Sequence, residues 1–157
     1  MHRSRPTDDA AQRTAERVRD CMLAADAAAH ALGMQVSSIG PGCAVVTMAV
    51  RADMLNGFGI CQGGLVTTLA DAAFAYACNS YNVKTVASGF SVDLLAPGRE
   101  GDVLTARADV VSQSGRTGVY DAEVSNQNGE RIAMFRGRSY RLQGKPVVGD
   151  AEGAGAP

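Results

Sequence analysis

The sequence predicts an α+β domain in which a curved antiparallel sheet of about five strands wraps around one long central helix. Two patterns predict this fold class. Apolar residues recur at helical spacing over Gly63–Asn79, and from Lys84 onward β-branched segments alternate with turns that contain Gly, Pro or Asn. Small side chains on several faces of the helix would let a curved sheet approach closely; they are Ala70, Ala72, Ala73, Ala75 and Ala77.

The N-terminal part predicts a loose leader over residues 1–8 and then a helix over about Thr7–Leu32, where alanine is abundant. Gly33 is placed to end that helix. At the other end of the chain, residues 144–157 are rich in Gly, Ala and Pro, which predicts a disordered tail. We therefore expect one folded domain over residues 9–143. An apolar stripe would pack the first helix, and its residues are Val18, Met22, Leu23 and Ala25.

Turn residues divide the rest of the chain into strands. Gly40-Pro41-Gly42 precedes the first β-branched segment, and Asn128-Gly129 precedes the last one, as in a hairpin. A glycine-rich loop separates the first strand from the central helix. The predicted strands are Cys43–Arg51, Lys84–Leu95, Val103–Gln113, Thr117–Asn126 and Arg131–Leu142.

Composition excludes several classes of protein. The 157 residues carry a formal net charge of −1, 46% of them are hydrophobic and 5% are aromatic, with no Trp. Such a chain lacks the basic surface and the stacking platforms of a nucleic-acid-binding protein. No apolar run approaches the ~20 residues that a membrane-spanning helix requires. Neither nucleic acid nor a membrane is therefore expected as a partner.

The N-terminus lacks the apolar segment of a secretory signal, so we expect a cytoplasmic protein. The cysteines form no CxxC pair and show no metal-ligand spacing. In a reducing compartment they are expected to be free thiols, and no metal site is expected. They are Cys21, Cys43, Cys61 and Cys78.

The most informative segment is Leu55–Ser80, where the glycine-rich loop runs directly into the central helix. One acid, Asp71, lies within the apolar helix pattern, and burying a charge is costly unless the charge is paired or functional. Gly63 and Gly64 fall where the helix begins, so their backbone N–H groups are free to point at a polarised carbonyl. A carboxylate and an oxyanion donor on one element form half of a hydrolytic site. The alternatives are that Asp71 pairs with a buried Arg and that the glycines only permit close packing.

The order of these motifs resembles the PaaI-type thioesterases of phenylacetate breakdown, a family with the hotdog fold. The similarity covers about Ala31–Leu142 and rests on AVVTMAV, MLNG, the Gly-Gly pair followed by LADAAFAYACNS, a strand that ends in LAPG, and then TGVYDAEVSNQ and FRGRSYR. The resemblance implies hydrolysis of aryl-acyl-CoA thioesters, such as phenylacetyl-CoA and its ring-hydroxylated forms, to the free acid and CoA. No metal or other cofactor would take part, because CoA is part of the substrate.

The resemblance also implies roles for individual residues. The family's acid corresponds to Asp71, its loop asparagine to Asn56, and the glycine whose N–H polarises the thioester carbonyl to Gly63. In relatives of this kind the acid and the glycine come from opposite subunits. We therefore expect a homodimer with the site at the subunit interface, and a pairing of dimers into a homotetramer.

One position departs from the family pattern, because Gln62 stands where His commonly precedes the two glycines. Gln donates a hydrogen bond but carries no proton or positive charge at neutral pH. If the family's histidine holds the loop or donates to the substrate, Gln62 can replace it, and this is the interpretation we favour. If the role requires a titrating group, activity would suffer.

Six further residues are candidates for substrate binding: Gly64, Phe58, Thr68, Ser88, Arg99 and Arg116. Phe58 would either cover the substrate ring or lie at the subunit contact. The hydroxyls would either approach Asp71 or satisfy a local backbone group. The arginines would either bind the phosphates of CoA or remain solvated surface charges. An acyl pocket would be lined by residues that are equally suited to the core, namely Leu55, Phe58, Ile60, Phe74 and Phe90.

Other mechanisms lack the residues they need. No histidine lies between Leu32 and the C-terminus, so neither a Cys–His pair at Cys61 nor a Ser–His–Asp triad is expected. The same shortage argues against a hydratase of this fold. The sequence leaves open whether Asp71 activates a water or attacks the thioester itself. It also leaves open a non-catalytic acyl-CoA-binding module, and a thioesterase that prefers short or medium aliphatic acyl groups.

Overall fold

The computed structural model describes residues 6–149 and has the predicted fold class, one helix packed against a curved antiparallel sheet. Along the chain the elements are α1 (Pro6–Ala25), α2 (Ala27–Ala31), β1 (Gln35–Gly40), β2 (Cys43–Ala49), a short 3₁₀ turn (Ala52–Met54), α3 (Gly63–Asn79), β3 (Thr85–Leu94), β4 (Val103–Ser114), β5 (Thr117–Ser125) and β6 (Arg131–Arg141). No helix within this range is long and apolar enough to cross a membrane.

The sheet has six strands in the order β1-β2-β4-β5-β6-β3, all antiparallel to their neighbours. The additional strand is β1, whose sequence QVSSIG has polar, exposed residues at three of its six positions and shows no apolar alternation. It is paired because residues 41 and 42 form a tight turn, with Gly42 at a φ of +76°. The predicted sheet of about five strands therefore lacked one edge strand.

The central helix α3 supplies the core. Its fully buried residues Leu69, Ala73, Phe74 and Ala77 face the sheet, and it packs chiefly on β2, β4 and β5. The Phe74 ring lies against Gly137, where an added Cβ would come within 2.9 Å of its carbons. Small residues on both sides thus allow the close approach that the alanine-rich helix predicted.

The first helical segment is divided where a single helix over Thr7–Leu32 was expected. Asp26 ends α1 and caps α2, since its Oδ1 accepts a hydrogen bond from the N–H of Ala29 at 3.0 Å. Its Oδ2 accepts from the Tyr76 hydroxyl at 3.0 Å, which ties the break to α3. Gly33, at a φ of +66°, follows the helix end as predicted.

Both predicted termini differ from the structure where it describes them. Helix α1 already begins at Pro6, so residues 6–8 of the expected leader are helical, while residues 1–5 lie outside the described range. The tail is held in place from Gly144 to Gly149. Asn82 Oδ1 accepts from the N–H of Val147 (3.0 Å) and Val148 (2.9 Å), which the composition of the tail does not reveal. Residues 150–157 lie outside the described range.

Candidate active site

The loop before α3 is organised by the side chain of Asn56. Its Oδ1 accepts hydrogen bonds from the N–H groups of Phe58 (2.9 Å) and Ile60 (3.3 Å), and its own N–H donates to the Ile60 carbonyl at 2.8 Å. These two acceptor bonds identify the amide oxygen, so Nδ2 is the remaining polar atom. Nδ2 has no acceptor within residues 6–149. The loop thus holds a fixed donor.

The start of α3 is held by backbone bonds on both sides. The N–H of Cys61 donates to the Gly98 carbonyl and that of Gln62 to the Met54 carbonyl, each at 2.8 Å. The Gln62 carbonyl then accepts from the third and fourth residues along, which leaves the N–H groups of Gly63 and Gly64 without an acceptor in the described chain. Two unpaired donors at the positive end of a 17-residue helix favour an oxygen that carries negative charge.

A groove of about 410 Å³ lies beside these donors. Asn56 and Gly63 both line it, so the structure brings together two of the residues singled out in the sequence. The other lining residues are mainly aliphatic: Ile60, Cys61, Val66, Leu94, Leu95, Ala96, Pro97 and Gly98. A groove with apolar walls and two fixed polar groups suits an acyl group whose carbonyl must be oriented.

Asp71 lies on the same helix but outside the groove. It is half-buried and makes no hydrogen bond or salt bridge in the part of the chain that the structure describes, so no Arg neutralises it there. Burial raises the pKa of its carboxyl. It lies eight positions after Gly63, which at about 1.5 Å per residue separates the two by ~12 Å along the helix axis.

The hydroxyl candidates are both bonded to backbone. Thr68 Oγ1 donates to the Gly64 carbonyl at 2.8 Å, one turn earlier in α3. Ser88 Oγ donates to the Arg138 carbonyl at 3.1 Å, across the β3–β6 ladder. Both hydroxyls therefore satisfy a backbone carbonyl, which is the second of the two roles expected from the sequence, and neither is bonded to Asp71. Thr68 lies three positions before Asp71, on the same partly exposed side of the helix.

The two arginine candidates lie at opposite ends of the sheet. Arg99 is exposed and directly follows the groove residues Pro97 and Gly98. Arg116 lies on the β4–β5 hairpin, where it donates to the Tyr140 hydroxyl (3.1 Å) and to Gln143 Oε1 (2.6 Å). Since β3 between these ends is ten residues long, or ~33 Å, one protomer places only Arg99 near its groove.

The aromatic candidates divide into three environments. Phe58, at the loop tip, is 91% exposed and covers nothing within its own protomer. Phe74 belongs to the core, its ring centroid 5.6 Å from that of Tyr120, so it does not line an acyl pocket. Phe90 is 44% exposed and rests on Phe135. Of the apolar residues proposed for the acyl pocket, Ile60 lines the groove.

Sequence reasoning missed the wall that β3 contributes to the groove, formed by Leu94 and Leu95 with the turn that follows. A signal was present, because the LAPG turn contains Gly98, whose carbonyl receives the Cys61 N–H. From the sequence, this motif indicated the end of a strand and supported the family resemblance, but not a contact with the loop. Its contact with the loop depends on the sheet that brings residues 61 and 98 together.

The thiols are not arranged for catalysis. All four cysteines are free, and Cys61 is buried, with its Sγ 3.8 Å from the Gln62 carbonyl. Burial raises the pKa of the Cys61 thiol, which keeps it protonated and weakly nucleophilic. His30, the described histidine, bonds the Leu23 carbonyl through Nε2 at 2.7 Å. Among the described residues no three His, Cys, Asp or Glu side chains cluster as metal ligands.

Known proteins resemble this chain in sequence and in fold. The family model for the thioesterase superfamily matches residues 58–133. The acyl-coenzyme A thioesterase PaaI of Escherichia coli is 52% identical over 126 residues, which cover 80% of this chain and 89% of that protein. The chain belongs to the thioesterase superfamily, as a PaaI-type member with the hotdog fold. It is therefore an enzyme, a thioester hydrolase.

Two solved structures extend the comparison. That of the E. coli PaaI protein superimposes with a TM-score of 0.84 at 48% identity, covering 85% of this chain and 97% of that one. A thioesterase protein of Streptococcus pneumoniae, solved with coenzyme A, superimposes with a TM-score of 0.67 at 28% identity, covering 69% of this chain and 88% of that one.

Proposed function

We propose that this thioesterase hydrolyses acyl-CoA thioesters of the phenylacetyl type, including ring-hydroxylated forms, to the free acid and CoA in aromatic degradation. One observation carries the proposal: the unpaired N–H of Gly63 lines an apolar groove beside the fixed amide donor of Asn56. The identity to an E. coli enzyme named as an acyl-CoA thioesterase supports the CoA ester as substrate, and so does the relative solved with coenzyme A.

The chemistry follows from charge development on the substrate. As a nucleophile adds to the thioester carbonyl, its oxygen becomes negative, and the N–H of Gly63 stabilises it by about 3–4 kcal/mol. Asn56 Nδ2 is a second donor that is already oriented. The Asp71 carboxylate either takes a proton from the attacking water or attacks to form an anhydride that water then opens. In both routes the carbon–sulfur bond breaks and CoA leaves as the thiolate.

The site is shared between two subunits in this proposal. A reacting carboxylate or its water must come within ~3–3.5 Å of the carbonyl carbon. Asp71 and Gly63 of one chain are separated by ~12 Å along α3, since each residue rises about 1.5 Å. One protomer therefore cannot apply both groups to one carbonyl. A two-fold axis that sets two α3 helices side by side in opposite directions would bring the Asp71 of each to the Gly63 of the other.

The edge strand β3 supports such a dimer. One of its sides has no neighbouring strand in the described chain, and its apolar residues Val86 and Phe90, which lie outside the groove, are 45% and 44% exposed. An unpaired edge strand of ten residues is a template for pairing with a second copy. Phe58, 91% exposed at the loop tip, is suited to the same contact. Further pairing of these dimers gives the homotetramer that we expect.

Gln62 can replace the usual histidine without disturbing the loop, because Gln62 contributes to the loop only through its own backbone. Its N–H and carbonyl make the bonds described above, while its exposed side chain has no partner within residues 6–149. The side chain is therefore available to donate to the substrate. Gln62→His should preserve or raise kcat/KM for the preferred acyl-CoA. A large loss would show that this site depends on the amide.

A second candidate substrate class is short or medium aliphatic acyl-CoA. It is favoured by the groove itself, because no aromatic side chain lines it among the described residues and its walls are Ile60, Val66, Leu94 and Leu95. Arg99, next to the groove, is the cation best placed for a CoA phosphate in either case.

A panel of acyl-CoAs tests both assignments. Release of free thiol would be followed with acetyl-, hexanoyl-, phenylacetyl- and hydroxyphenylacetyl-CoA, for the wild type and Asp71→Asn. We expect the aryl members to be cleaved fastest and Asp71→Asn to lose about 10²–10⁴-fold in kcat. Cleavage of the straight chains alone would replace the aromatic assignment with the aliphatic one. Near-wild-type turnover by Asp71→Asn would refute its role.

A further inference from the structure

The first turn of α3 is in direct contact with the end of β3. A Cβ built on Gly63 would lie 2.5 Å from Leu94 Cδ1 and 3.9 Å from Leu94 Cγ. At neighbouring Gly64 an added Cβ would meet nothing within 4 Å. Leu94 is therefore the side chain that occupies the space beside the oxyanion donor. A side chain at Gly63 would therefore force the end of Leu94 to shift, whereas one at Gly64 would not.

Leu94 is held by its backbone and free at its side chain. It pairs with Ala133 at the end of the β3–β6 ladder, and the N–H of the next residue donates to the Ile132 carbonyl at 2.8 Å. Its side chain is nevertheless 54% exposed and lines the groove. The β3–β6 pairing thus fixes the backbone of Leu94, while its side chain projects into the groove where the substrate would lie.

We propose that Leu94 is a specificity-determining residue that rejects acyl groups branched at the carbon next to the thioester carbonyl. This inference rests on the proposed function, because it requires the carbonyl oxygen to bind the Gly63 N–H. With the oxygen there, the carbonyl carbon lies one bond further out. Because the acyl group lies in the groove that Gly63 and Leu94 both line, its α-carbon, the first atom beyond the carbonyl, passes beside Leu94. An arylacetyl or straight acyl group presents a CH₂ at that point, while an α-methyl group adds a carbon where the Leu94 methyl lies.

The expected discrimination follows from the volume of one carbon atom. An additional methyl group in an apolar site changes kcat/KM by about 10–200-fold. Leu94→Ala removes three carbons beside Gly63 and makes room for such a branch. Substituents on the distant ring carbons lie away from this contact and are not affected by it.

The experiment compares phenylacetyl-CoA with 2-phenylpropanoyl-CoA, its α-methyl homologue. Wild type should favour the unbranched ester by at least about tenfold in kcat/KM, and Leu94→Ala should lower that ratio by a similar factor. Leu94→Val, which removes one carbon, should shift the ratio in the same direction by less. The control is Val111→Ala, since Val111 is 54% exposed like Leu94 but lies on β4 away from the groove, and its ratio should equal that of wild type.

A second pair of variants tests the contact itself. Gly63→Ala keeps the backbone N–H but places a methyl against Leu94, so it should lose kcat, and Gly63→Ala with Leu94→Ala should recover at least about tenfold. Sedimentation of each variant establishes that its assembly matches that of wild type. An unchanged substrate ratio in both Leu94 variants, with assembly and phenylacetyl turnover retained, would overturn the proposal. Wild type that cleaves neither ester would instead refute the proposed function.

Discussion

Two inactive variants should restore activity when they share one dimer, and this tests the site arrangement most directly. Asp71→Asn removes the carboxylate, and Gly63→Pro removes the N–H donor. Proline suits this position, because Gly63 is the first residue of α3 and the preceding residue, at φ −53° and ψ 128°, has the extended conformation that proline requires. The flexible end of Leu94 must shift to accept the ring.

The magnitudes follow from the geometry. Each variant alone should lose about 10²-fold or more in kcat. In a two-fold dimer that takes Asp71 and Gly63 from opposite subunits, a heterodimer of the two variants has one intact site and one doubly damaged site. Coexpression at equal levels makes about half of the dimers mixed, so total turnover should reach about one quarter of wild type.

The double variant, Asp71→Asn with Gly63→Pro, is the matched control. Coexpressed with wild type, it damages both sites of every mixed dimer, so turnover should fall to about one quarter instead of one half. Thiol release per mole of protein is the assay in each case. Differential tags would demonstrate that mixed dimers form. If the coexpressed single variants then remain as inactive as each variant alone, Asp71 and Gly63 do not act across the subunit interface, and the argument from their ~12 Å separation along α3 is wrong.

Three further outcomes are expected. Burial raises the pKa of the Asp71 carboxyl, so kcat should begin to fall on the acid side at a pH above the usual aspartate range. A carboxyl whose pKa is raised by folding binds its proton more tightly in the folded state, so its ionisation costs stability. Asp71→Asn should therefore raise Tm at pH 7, with a gain that shrinks as the pH falls below that pKa; a gain independent of pH would contradict the desolvation argument. Asn56→Asp keeps an oxygen that accepts the two loop hydrogen bonds but loses the Nδ2 donor, so it should retain Tm and lose kcat. Asn56→Ala should lower both Tm and kcat. An equal Tm for wild type and both variants would show that Oδ1 does not hold the loop. Gly137→Ala places a methyl 2.9 Å from the Phe74 ring and should cost about 1–3 kcal/mol in urea unfolding, while Gly57→Ala, with open space at its Cβ, should cost less than half of that.

The elements of the fold could be predicted wherever one local pattern dominates. The α3 helix begins at Gly63 and ends at Asn79, as its apolar spacing indicates, and five strands follow their β-branched segments. The missed strand β1 is half polar and lacks apolar alternation, so its pairing is determined by the turn and by β2 rather than by its own composition. The break at Asp26 was missed because an aspartate after alanines has no signature until its cap and Tyr76 are in place.

The candidate site divides in the same way. The first residues of any helix have backbone N–H groups without an intrahelical acceptor. Gly63 and Gly64 could therefore be singled out as soon as the apolar spacing of α3 showed where the helix begins. Asn56 was singled out through the family resemblance, and only the structure adds that its Oδ1 is engaged in the loop, which leaves Nδ2 as the donor. The opposite positions of Arg99 and Arg116 depend on the direction in which β3 runs, which no local pattern contains.

The sequence alone determined the fold class, the family, and the presence of a lone acid and two free donors on one helix. The family follows from the resemblance of several motifs, spread over most of the domain, to those of PaaI-type thioesterases. The other features follow from side-chain periodicity and from residues that are rare in their local context, which can be read within a few turns of chain. The tertiary structure alone decided that Leu94 lies against Gly63 and that the LAPG turn closes the groove. It also decided that Val147 and Val148 are bonded to Asn82. Each of these is a contact between segments far apart in the chain, and it depends on which surfaces are complementary after the sheet has folded around α3.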